Sequence, residues 1–459
     1  MQDEDSRQTA RLSGPYRRPK AAILALLVPL ALSLLAMLAW PAAPRVQSIA
    51  LDAAPDTVAL DPGASRAFVA SASAGAVTIL DLSHGRVLRT VPLGDPTTLA
   101  PLALALAPHT HHLFVADRMD QPTPSVVRML DSRGGALLAT VTVGHEASAL
   151  AVDPGHGQVL VADETDETLS LLDARTGALR RTLPLGLLPL GLAVDAAHNR
   201  AFVVGPASPG ALPPSALVTD GLAGLVGVLD TRGGALIRRT VVGSGPSAMA
   251  VDPISGRVFV ACVGDATVRV LDANSGAPLR TVQLDAAPSA LAVDARRGRV
   301  YVASAAAGTL SLLDARSGAL LATRRVDSFA SSAYALPDAL AVDEARDQVY
   351  LSTLGPMEWG PRGLTLRGNG TLHVLDARTG APIRRIAVGV APRAIAVDEA
   401  SGRVVVVNGG GVVLRAPAGW GEPWIGRLRA WLPWLGRFTT QAQVLARVPG
   451  SISVIETGA

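Results

Sequence analysis

A unit of about 42 residues recurs along this chain of 459 residues, and this repetition restricts the folds open to it. Residues 246–285 and 288–327 align without a gap, and both open on PSA followed by an AVD phrase. Related openings occur eight times, 42 to 57 residues apart. A repeat of this length is one supersecondary unit that buries its apolar faces against its neighbours. The openings end at Asp61, Ala107, Asp153, Asp195, Asp252, Asp294, Asp343 and Asp398.

Each copy holds four short apolar runs, which in the sixth copy fall at 290–293, 300–303, 309–313 and 320–326. Val, Ile, Leu and Tyr dominate these runs, and Gly, Pro, Asp and Asn separate them, as in strands joined by turns. At the turns, Asp is suited to accept backbone N–H bonds and Gly to take a positive φ. Four antiparallel strands in about 40–45 residues are typical of a propeller blade. The sequence therefore predicts an all-β propeller with eight four-stranded blades.

The two ends of the repeat region complement each other. The last copy supplies a first strand at 394–397, a second at 404–407 and a third at 451–455, without a fourth. Residues 46–51 precede the first copy and resemble a fourth strand, because SIALDAAP matches TVQLDAAP. We therefore expect the N-terminal strand to complete the eighth blade and close the ring, which pairs strands that would otherwise be exposed edges.

The phrases GRVYVAS, GTLSLLDARSG and GRVFVAC resemble YVTN-type β-propeller repeats, the class found in YncE-like exported proteins. The resemblance covers about residues 46–456 and implies a propeller outside the cytoplasm. Members of that family often have seven blades, so seven is the alternative to the eight openings counted here. The resemblance does not specify an activity, because such propellers serve varied roles.

Loop lengths distinguish two faces of the predicted ring. Because successive strands alternate in direction, loops from second to third strands share a face with the connections between blades. Nearly all the extra length falls on this elaborated face, whereas the opposite, plain face has short, near-identical turns. Since function concentrates on variable loops held by a rigid scaffold, we expect the elaborated face to be the recognition surface. The long segments are 94–101, 117–124, 205–225, 327–337, 353–370 and 408–449.

An uncharged stretch of twenty residues, AAILALLVPLALSLLAMLAW, occupies positions 21–40 and is long enough to cross a bilayer as a helix. Arg17, Arg18 and Lys20 precede it and no basic residue follows before Arg45, which predicts a cytoplasmic N-terminus and an exported body. The alternative is a cleaved signal peptide and a secreted protein. We expect a basic tail at 1–20, a transmembrane helix at 21–40, a linker at 41–45 and the propeller at 46–459, with the plain face toward the membrane because that linker is short.

Charge and cysteine content exclude several classes of protein. The net formal charge is +3, and the first twenty residues account for +2 of it, so the body is nearly neutral and no nucleic-acid partner is expected. The single cysteine, Cys262, excludes an internal disulfide and a multi-cysteine metal site. No nucleotide-binding or nucleophile motif is present, so we expect no cofactor and no catalytic residue.

Carboxylates form the first candidate binding group on the elaborated face. The phrase ADETDET supplies Asp163, Glu164, Asp166 and Glu167, and clustered carboxylates suit hard cations such as calcium. The calcium-loop pattern is missing, however, so a solvated acidic loop is the favoured interpretation and no metal is expected. Asp117 and Asp120 in blade two are a weaker case of the same kind.

The Trp-rich insertion, residues 408–449, is the second candidate, and part of it fits one helical face with arginines around it. Trp and Arg together are typical of binding hot spots and of membrane interfaces. A cap packed on the propeller itself is the alternative. Trp359 in the blade-seven insertion is expected to join this group. The candidate residues in the insertion are Trp420, Trp424, Arg427, Arg429, Trp431 and Trp434.

Two functions remain open on this evidence. The leading hypothesis is a membrane-anchored, extracytoplasmic and monomeric propeller that binds an unidentified protein or small ligand through its elaborated face, with a cell-wall or assembly role as one form of it. The alternative is a propeller enzyme, such as a lactonase-like hydrolase, with its site at the axial mouth. Repeated Asp residues are assigned to turn capping, since a residue present in every blade lacks the special environment that catalysis needs.

Overall fold

The computed structural model describes residues 44–94, 99–119, 122–208, 223–326, 339–355, 357–360, 363–366, 368–410, 412–415, 443–447 and 450–457. The predicted tail and transmembrane helix lie outside these residues. Within them, no helix has the length and apolarity needed to span a bilayer. Residues 45–457 form one compact unit.

This unit contains nine four-stranded antiparallel sheets, and eight of them are the blades of a propeller. Blade 1 contains β2 (Thr57–Asp61), β3 (Arg66–Ser71), β4 (Ala76–Asp81) and β5 (Arg86–Pro92), and blade 2 contains β6 (Leu99–Ala107), β7 (His112–Met119), β8 (Val126–Asp131) and β9 (Leu137–Thr142). Blade 3 contains β10 (Ala147–Asp153), β11 (Gln158–Asp163), β12 (Thr168–Asp173) and β13 (Leu179–Pro184), and blade 4 contains β14 (Gly191–Asp195), β15 (Arg200–Pro206), β16 (Ala223–Asp230) and β17 (Ala235–Ser244).

The second half of the ring repeats this order. Blade 5 contains β18 (Pro246–Asp252), β19 (Arg257–Cys262), β20 (Thr267–Asp272) and β21 (Pro278–Gln283), and blade 6 contains β22 (Ala290–Asp294), β23 (Arg299–Ser304), β24 (Thr309–Asp314) and β25 (Leu320–Arg325). Blade 7 contains β26 (Leu340–Asp343), β27 (Gln348–Thr353), β30 (Thr371–Asp376) and β31 (Pro382–Ala387), and blade 8 contains β32 (Pro392–Asp398), β33 (Arg403–Asn408), β36 (Ser451–Glu456) and β1 (Arg45–Ala50). A ninth sheet contains β28 (Met357–Gly360), β29 (Gly363–Leu366), β34 (Val412–Arg415) and β35 (Gln443–Arg447).

The ring closes through the N-terminal strand, as the sequence predicts. In blade 8 the strand order is β1-β36-β33-β32, so the fourth strand comes from the start of the chain. β1 pairs antiparallel with β36, from Arg45 opposite Glu456 to Ala50 opposite Ser451. The first strands of neighbouring blades lie side by side around the ring, and β32 contacts β2 of blade 1. The prediction of eight blades is confirmed, and the alternative of seven is excluded.

The core lies between blades, with one apolar cluster for each neighbouring pair. The cluster between blades 8 and 1 contains Ile49 and Leu51 from the N-terminal segment beside Val405 and Val69. Second strands supply the largest buried side chains, such as Phe202 and Tyr301 at 0 % exposure. Six of the eight second strands carry such a fully buried Phe or Tyr, and these large side chains contribute strongly to the packing between blades.

Turns on the plain face are short in every blade. The loops between first and second strands all have four residues, and those between third and fourth strands have four or five. Their Asp residues cap the turns, as expected: Asp314 accepts the Ser317 N–H at 2.8 Å. The glycine of the second turn is also confined by packing. At Gly276, where φ is +69°, a Cβ would lie 2.7 Å from Val228 of the preceding blade.

Arginines of the fourth strands link neighbouring blades. Arg89 of blade 1 donates to the Gly134 carbonyl of blade 2 at 3.0 Å, and Arg181 of blade 3 donates to the Gly233 carbonyl of blade 4 at 3.0 Å. The acceptor in each case is a backbone carbonyl of the next blade's last turn. These bonds occupy part of each guanidinium and leave the rest of its donors facing solvent.

Candidate functional site

A polar pair recurs in most blades just below the elaborated face. One member lies at or near the end of the second strand and the other lies in the middle of the third. In blade 6 the pair is Ser304 and Ser311, and in blade 8 Asn408 donates to Ser453 at 3.0 Å. In blade 4 both positions are glycine, Gly205 and Gly227, so the polar pair is missing there. In blades 2 and 3 the second-strand position holds a carboxylate, Asp117 or Asp163, and both residues are fully buried.

Asp117 and Arg128 form the pair in blade 2. Asp117 is fully buried, the Arg128 side chain is 13 % exposed, and an Asp117 carboxylate oxygen contacts Arg128 Nη1. Burial lowers the pKa of the Arg128 guanidinium. Two desolvated charges of this kind depend on each other, because either one left alone would be a buried, uncompensated ion.

Arg118, the next residue along β7, lies between two buried glutamates. Its Nη2 is 3.0 Å from Glu146 Oε1 and 4.0 Å from Glu164 Oε2. The glutamates are 7 % and 5 % exposed, and their loops are joined by a bond from the Glu164 N–H to the Glu146 carbonyl at 3.1 Å. A charge of blade 2 therefore holds two loops of blade 3 in place.

His145 fixes the outer part of the same cluster. Its Nδ1 lies 2.9 Å from Asp166 Oδ1 and its Nε2 lies 3.0 Å from the Pro122 carbonyl. The hydrogen bond with Asp166 is the main cause that raises the pKa of His145. Both partners are acceptors, so both contacts are satisfied together only when the ring is an imidazolium that donates from both nitrogens.

Asp163 occupies the polar-pair position in blade 3 with neutral partners. It is fully buried, and Ser170 and Thr168 donate their hydroxyls to Oδ2 at 2.7 and 3.0 Å. Burial raises the pKa of this carboxyl to about 6, because hydroxyl donors do not compensate the loss of hydration. Gly144 has to be glycine here, since a Cβ would lie 2.6 Å from Asp163 Cβ.

We expect the change Asp163→Asn to stabilise the protein at neutral pH and to have little effect near pH 4. Between the unfolded pKa of 3.8 and the folded pKa of about 6, the folded state keeps a proton that the unfolded state has lost. Stability conferred by that proton is therefore present below pH 3.8 and lost as the pH rises to about 6. At about 1.4 kcal/mol per pKa unit, the gain at pH 7.5 is about 1–3 kcal/mol.

Urea unfolding of both proteins at pH 4.5, 6 and 7.5 measures this gain. Asn is compatible with the position, because Asn408 fills it in blade 8. Asp173→Asn is the control of opposite sign: the hydrogen bond from Arg180 is the main cause that lowers its pKa, so this change should destabilise at neutral pH. A gain for Asp163→Asn that does not vary with pH would contradict the assigned pKa.

The structure brings most of the predicted acidic residues together. Asp117, Asp163, Glu164 and Asp166 belong to this group, hereafter the blade 2–3 cluster, whereas Glu167 bonds through its backbone to Glu164 and Leu185. Asp120 lies outside the described residues. Sequence reasoning missed the basic half of the cluster and one of its glutamates. The extra members are Arg118, Arg128, His145 and Glu146.

This cluster differs from the cation site weighed for the acidic loop. Its carboxylates are paired with arginines, histidine or hydroxyls of the protein itself. Among the described residues, no group of three or more His, Cys, Asp or Glu is arranged to hold a metal ion. The cluster is a rigid, charged edge of the elaborated face, built across two blades.

The insertions of blades 7 and 8 pair with each other through their backbones. β28 and β29 lie between the second and third strands of blade 7, and β34 and β35 lie between those of blade 8. Together they form a four-stranded antiparallel sheet, joined where Leu364 is opposite Leu414. Trp359 lies on β28 opposite Leu364, so its strand belongs to the sheet that the Trp-rich insertion completes.

The remaining candidates of that insertion, Trp420, Trp424, Arg427, Arg429, Trp431 and Trp434, lie outside the described residues. Their role in binding stays a prediction. Sequence periodicity did not reveal the ninth sheet, because its four strands have only four or five residues each and come from loops about 50 residues apart.

Two further residues have structural roles. Cys262 is fully buried, and burial raises the pKa of its thiol to about 11, so the thiol stays protonated at neutral pH. His112 begins β7, with Nδ1 at 2.9 Å from the Ala174 carbonyl of blade 3. This histidine therefore joins two blades on the plain face.

Comparison with known proteins identifies the fold. No protein-family model matches the sequence, and no curated protein matches it significantly. Among solved structures, the dihydro-heme d1 dehydrogenase NirN in complex with DHE is similar at a TM-score of 0.54 and 15% identity, covering 74% of this chain and 67% of that one. BamB from Moraxella catarrhalis has a TM-score of 0.54 at 16% identity, covering 80% of this chain and 97% of its own. The hydrazine synthase of Kuenenia stuttgartiensis has a TM-score of 0.51 at 13% identity, with coverages of 80% and 97%.

These likenesses confirm a β-propeller and, at such low identity, establish nothing beyond the fold. Membership of the YVTN-type family stays a prediction from the repeat phrases.

Proposed function

We propose that this protein is a membrane-anchored, extracytoplasmic propeller that binds a protein or small ligand through its elaborated face. The observation that carries the proposal is the ninth sheet, in which insertions of two neighbouring blades pair with each other. Such a sheet adds nothing to closure of the ring, which β1 already completes. Its position on the face with variable loops is typical of a recognition surface held by a rigid scaffold.

The blade 2–3 cluster also lies at the elaborated face, in blades other than those that carry the ninth sheet, and it supports the assignment of that face as the binding surface. Its ion pairs tie loops of blades 2 and 3 together, so these loops present a fixed charged surface. Preorganised loops lose little conformational entropy on binding. A partner that contacts both regions would span the axial mouth between them.

Site-specific photocrosslinking of the full chain in its native membrane tests this proposal. A photoreactive amino acid replaces Trp359 or Trp424 in the insertions of blades 7 and 8, and Ser275 or Ser317 in turns of the plain face serves as the matched control. We expect the Trp359 and Trp424 positions to give a crosslinked adduct of one discrete mass. The Ser275 and Ser317 positions should give no adduct of that mass. Adducts from the plain-face positions alone would overturn the assignment of the recognition surface.

A further inference from the structure

Exposed apolar side chains of the described residues concentrate on one ring of positions. Of thirteen large apolar side chains exposed by more than two fifths, twelve lie on fourth strands and only Ile254 does not. Eleven of the twelve lie within the first three residues of their strand, next to the plain face. All eight blades contribute at least one, from Val46 in blade 8 to Ile383 in blade 7. These eleven side chains next to the plain face are called the plain-face rim.

The charge of the rim has one sign. The eight fourth strands carry twelve arginines and no aspartate or glutamate. Exposed arginines of the adjoining turns, such as Arg175, Arg316 and Arg378, extend the basic ring. The nearest carboxylates end the third strands: Asp314 and Asp376 accept backbone N–H bonds of their own turns at 2.8 Å, whereas Asp173 pairs with Arg180 of the adjoining fourth strand. The exposed Glu456 lies opposite Arg45, with Oε1 at 3.8 Å from Arg403 Nε, and the exposed Glu399 belongs to a turn between inner strands, nearer to the axis.

Protection of sheet edges explains only part of this pattern. Basic side chains on edge strands prevent pairing with other chains, and fourth strands are such edges. That purpose does not require Leu, Ile and Val to be exposed at one end of every fourth strand. Apolar side chains flanked by arginines are instead typical of surfaces that lie in a membrane interface, where the apolar groups enter the acyl boundary and the guanidinium groups bind anionic headgroups.

The N-terminal strand also begins at the plain face. β1 begins on the plain face, because Arg45 is opposite Glu456 and Glu456 is opposite Arg403, the residue after the first turn of blade 8. The uncharged stretch 21–40 ends four residues before β1 in the sequence. A chain of that length reaches at most about 18 Å, so a membrane anchor at 21–40 would hold the plain face near the headgroups.

We propose that the plain-face rim docks on an anionic lipid surface, which leaves the elaborated face directed away from the membrane. The proposal rests on the anchored topology proposed above, but it adds a second surface with its own chemistry. Anionic headgroups pair with the arginines, and the exposed apolar ring enters the interface around the short turns.

Cysteine accessibility in the full chain tests the docking. Leu279→Cys places a thiol on the rim and Ser73→Cys places one on the elaborated face, while the native Cys262 is buried and stays silent. Each protein is reconstituted in vesicles of phosphatidylcholine alone or with three tenths phosphatidylglycerol, and a membrane-impermeant maleimide is added. We expect modification of Leu279→Cys to slow at least fivefold on the anionic vesicles and Ser73→Cys to react equally on both. Adding Arg175→Gln, Arg316→Gln and Arg378→Gln should remove most of that protection.

Equal reactivity of Leu279→Cys on both vesicles would overturn the proposal. Equal protection on both, accompanied by a larger particle in detergent, would assign the rim to contacts between copies of the chain and would also overturn it. A different result is expected if residues 21–40 do not anchor the chain in the bilayer. The full chain would then separate from phosphatidylcholine vesicles in a flotation gradient. In that case docking still predicts retention on the anionic vesicles, and loss from both would refute it.

Discussion

Deleting residues 1–51 is expected to unfold blade 8 and open the ring, whereas deleting residues 1–43 should leave the propeller intact. The first deletion removes β1 together with Ile49 and Leu51, which are 6 % and 8 % exposed in the cluster between blades 8 and 1. Burial of two such side chains contributes about 4 kcal/mol. A loss of that size, with the hydrogen bonds of one strand, approaches the whole stability of a typical domain.

Thermal unfolding and light scattering of the two truncated proteins measure this effect. We expect the longer deletion to lower Tm by more than about 10 °C and to form aggregates, because β36 becomes an unpaired edge. In the full chain, Ile49→Asn should cost about 3 kcal/mol or more, and Ser48→Ala, exposed on the same strand, should cost less than about 0.5 kcal/mol. Equal Tm values for the two deletions would show that closure does not depend on β1.

The second large effect is expected at the buried ion pair of blade 2. Asp117→Ser should destabilise the protein by about 3–5 kcal/mol, because Arg128 would remain buried without its counter-ion. The double change Asp117→Ser and Arg128→Ser should cost far less than the single change. Blade 6 shows that the fold accepts two serines at these positions, since Ser304 and Ser311 occupy them with 2 % and 3 % exposure.

A double-mutant cycle by urea unfolding separates the two contributions. We expect a coupling free energy of at least about 2 kcal/mol between the two positions. Arg128→Ser alone should also destabilise the protein, since it leaves the buried Asp117 carboxylate without its counter-ion. If the loss of unfolding free energy in the double change equals the sum of the losses in the two single changes, the two charges do not depend on each other.

The fold was readable from the sequence because one pattern was repeated. Each copy shows the same alternation of apolar runs and turn residues, so an error in one copy is corrected by the other seven. The strands predicted for the sixth copy agree with β22 to β25 within one or two residues at each end. The match between SIALDAAP and TVQLDAAP predicted closure by β1, which the register with β36 confirms.

The candidate site was readable only in part, because its members come from different copies. Asp163 and Glu164 stood out as a carboxylate run, but Arg118 and Arg128 were ordinary residues of β7 and β8. The charge of Arg118 matters because the ring places the end of β7 beside the loops of blade 3, as its contact with Glu146 shows. Sequence spacing carries no signal for a contact between neighbouring blades.

Local chemistry thus determined the strands, the turns and the number of blades, since hydrogen bonding and burial within a blade depend mostly on residues close in the chain. The closing strand was predicted from its likeness to other fourth strands, although its partner β36 lies at the other end of the sequence. Tertiary structure alone decided how neighbouring blades meet: the contact of Arg118 with Glu146, the burial that raises the pKa of Asp163, the ninth sheet and the ring of exposed apolar residues beside the plain face. These features depend on the angle and spacing between blades, which many small apolar contacts set together and no single repeat encodes.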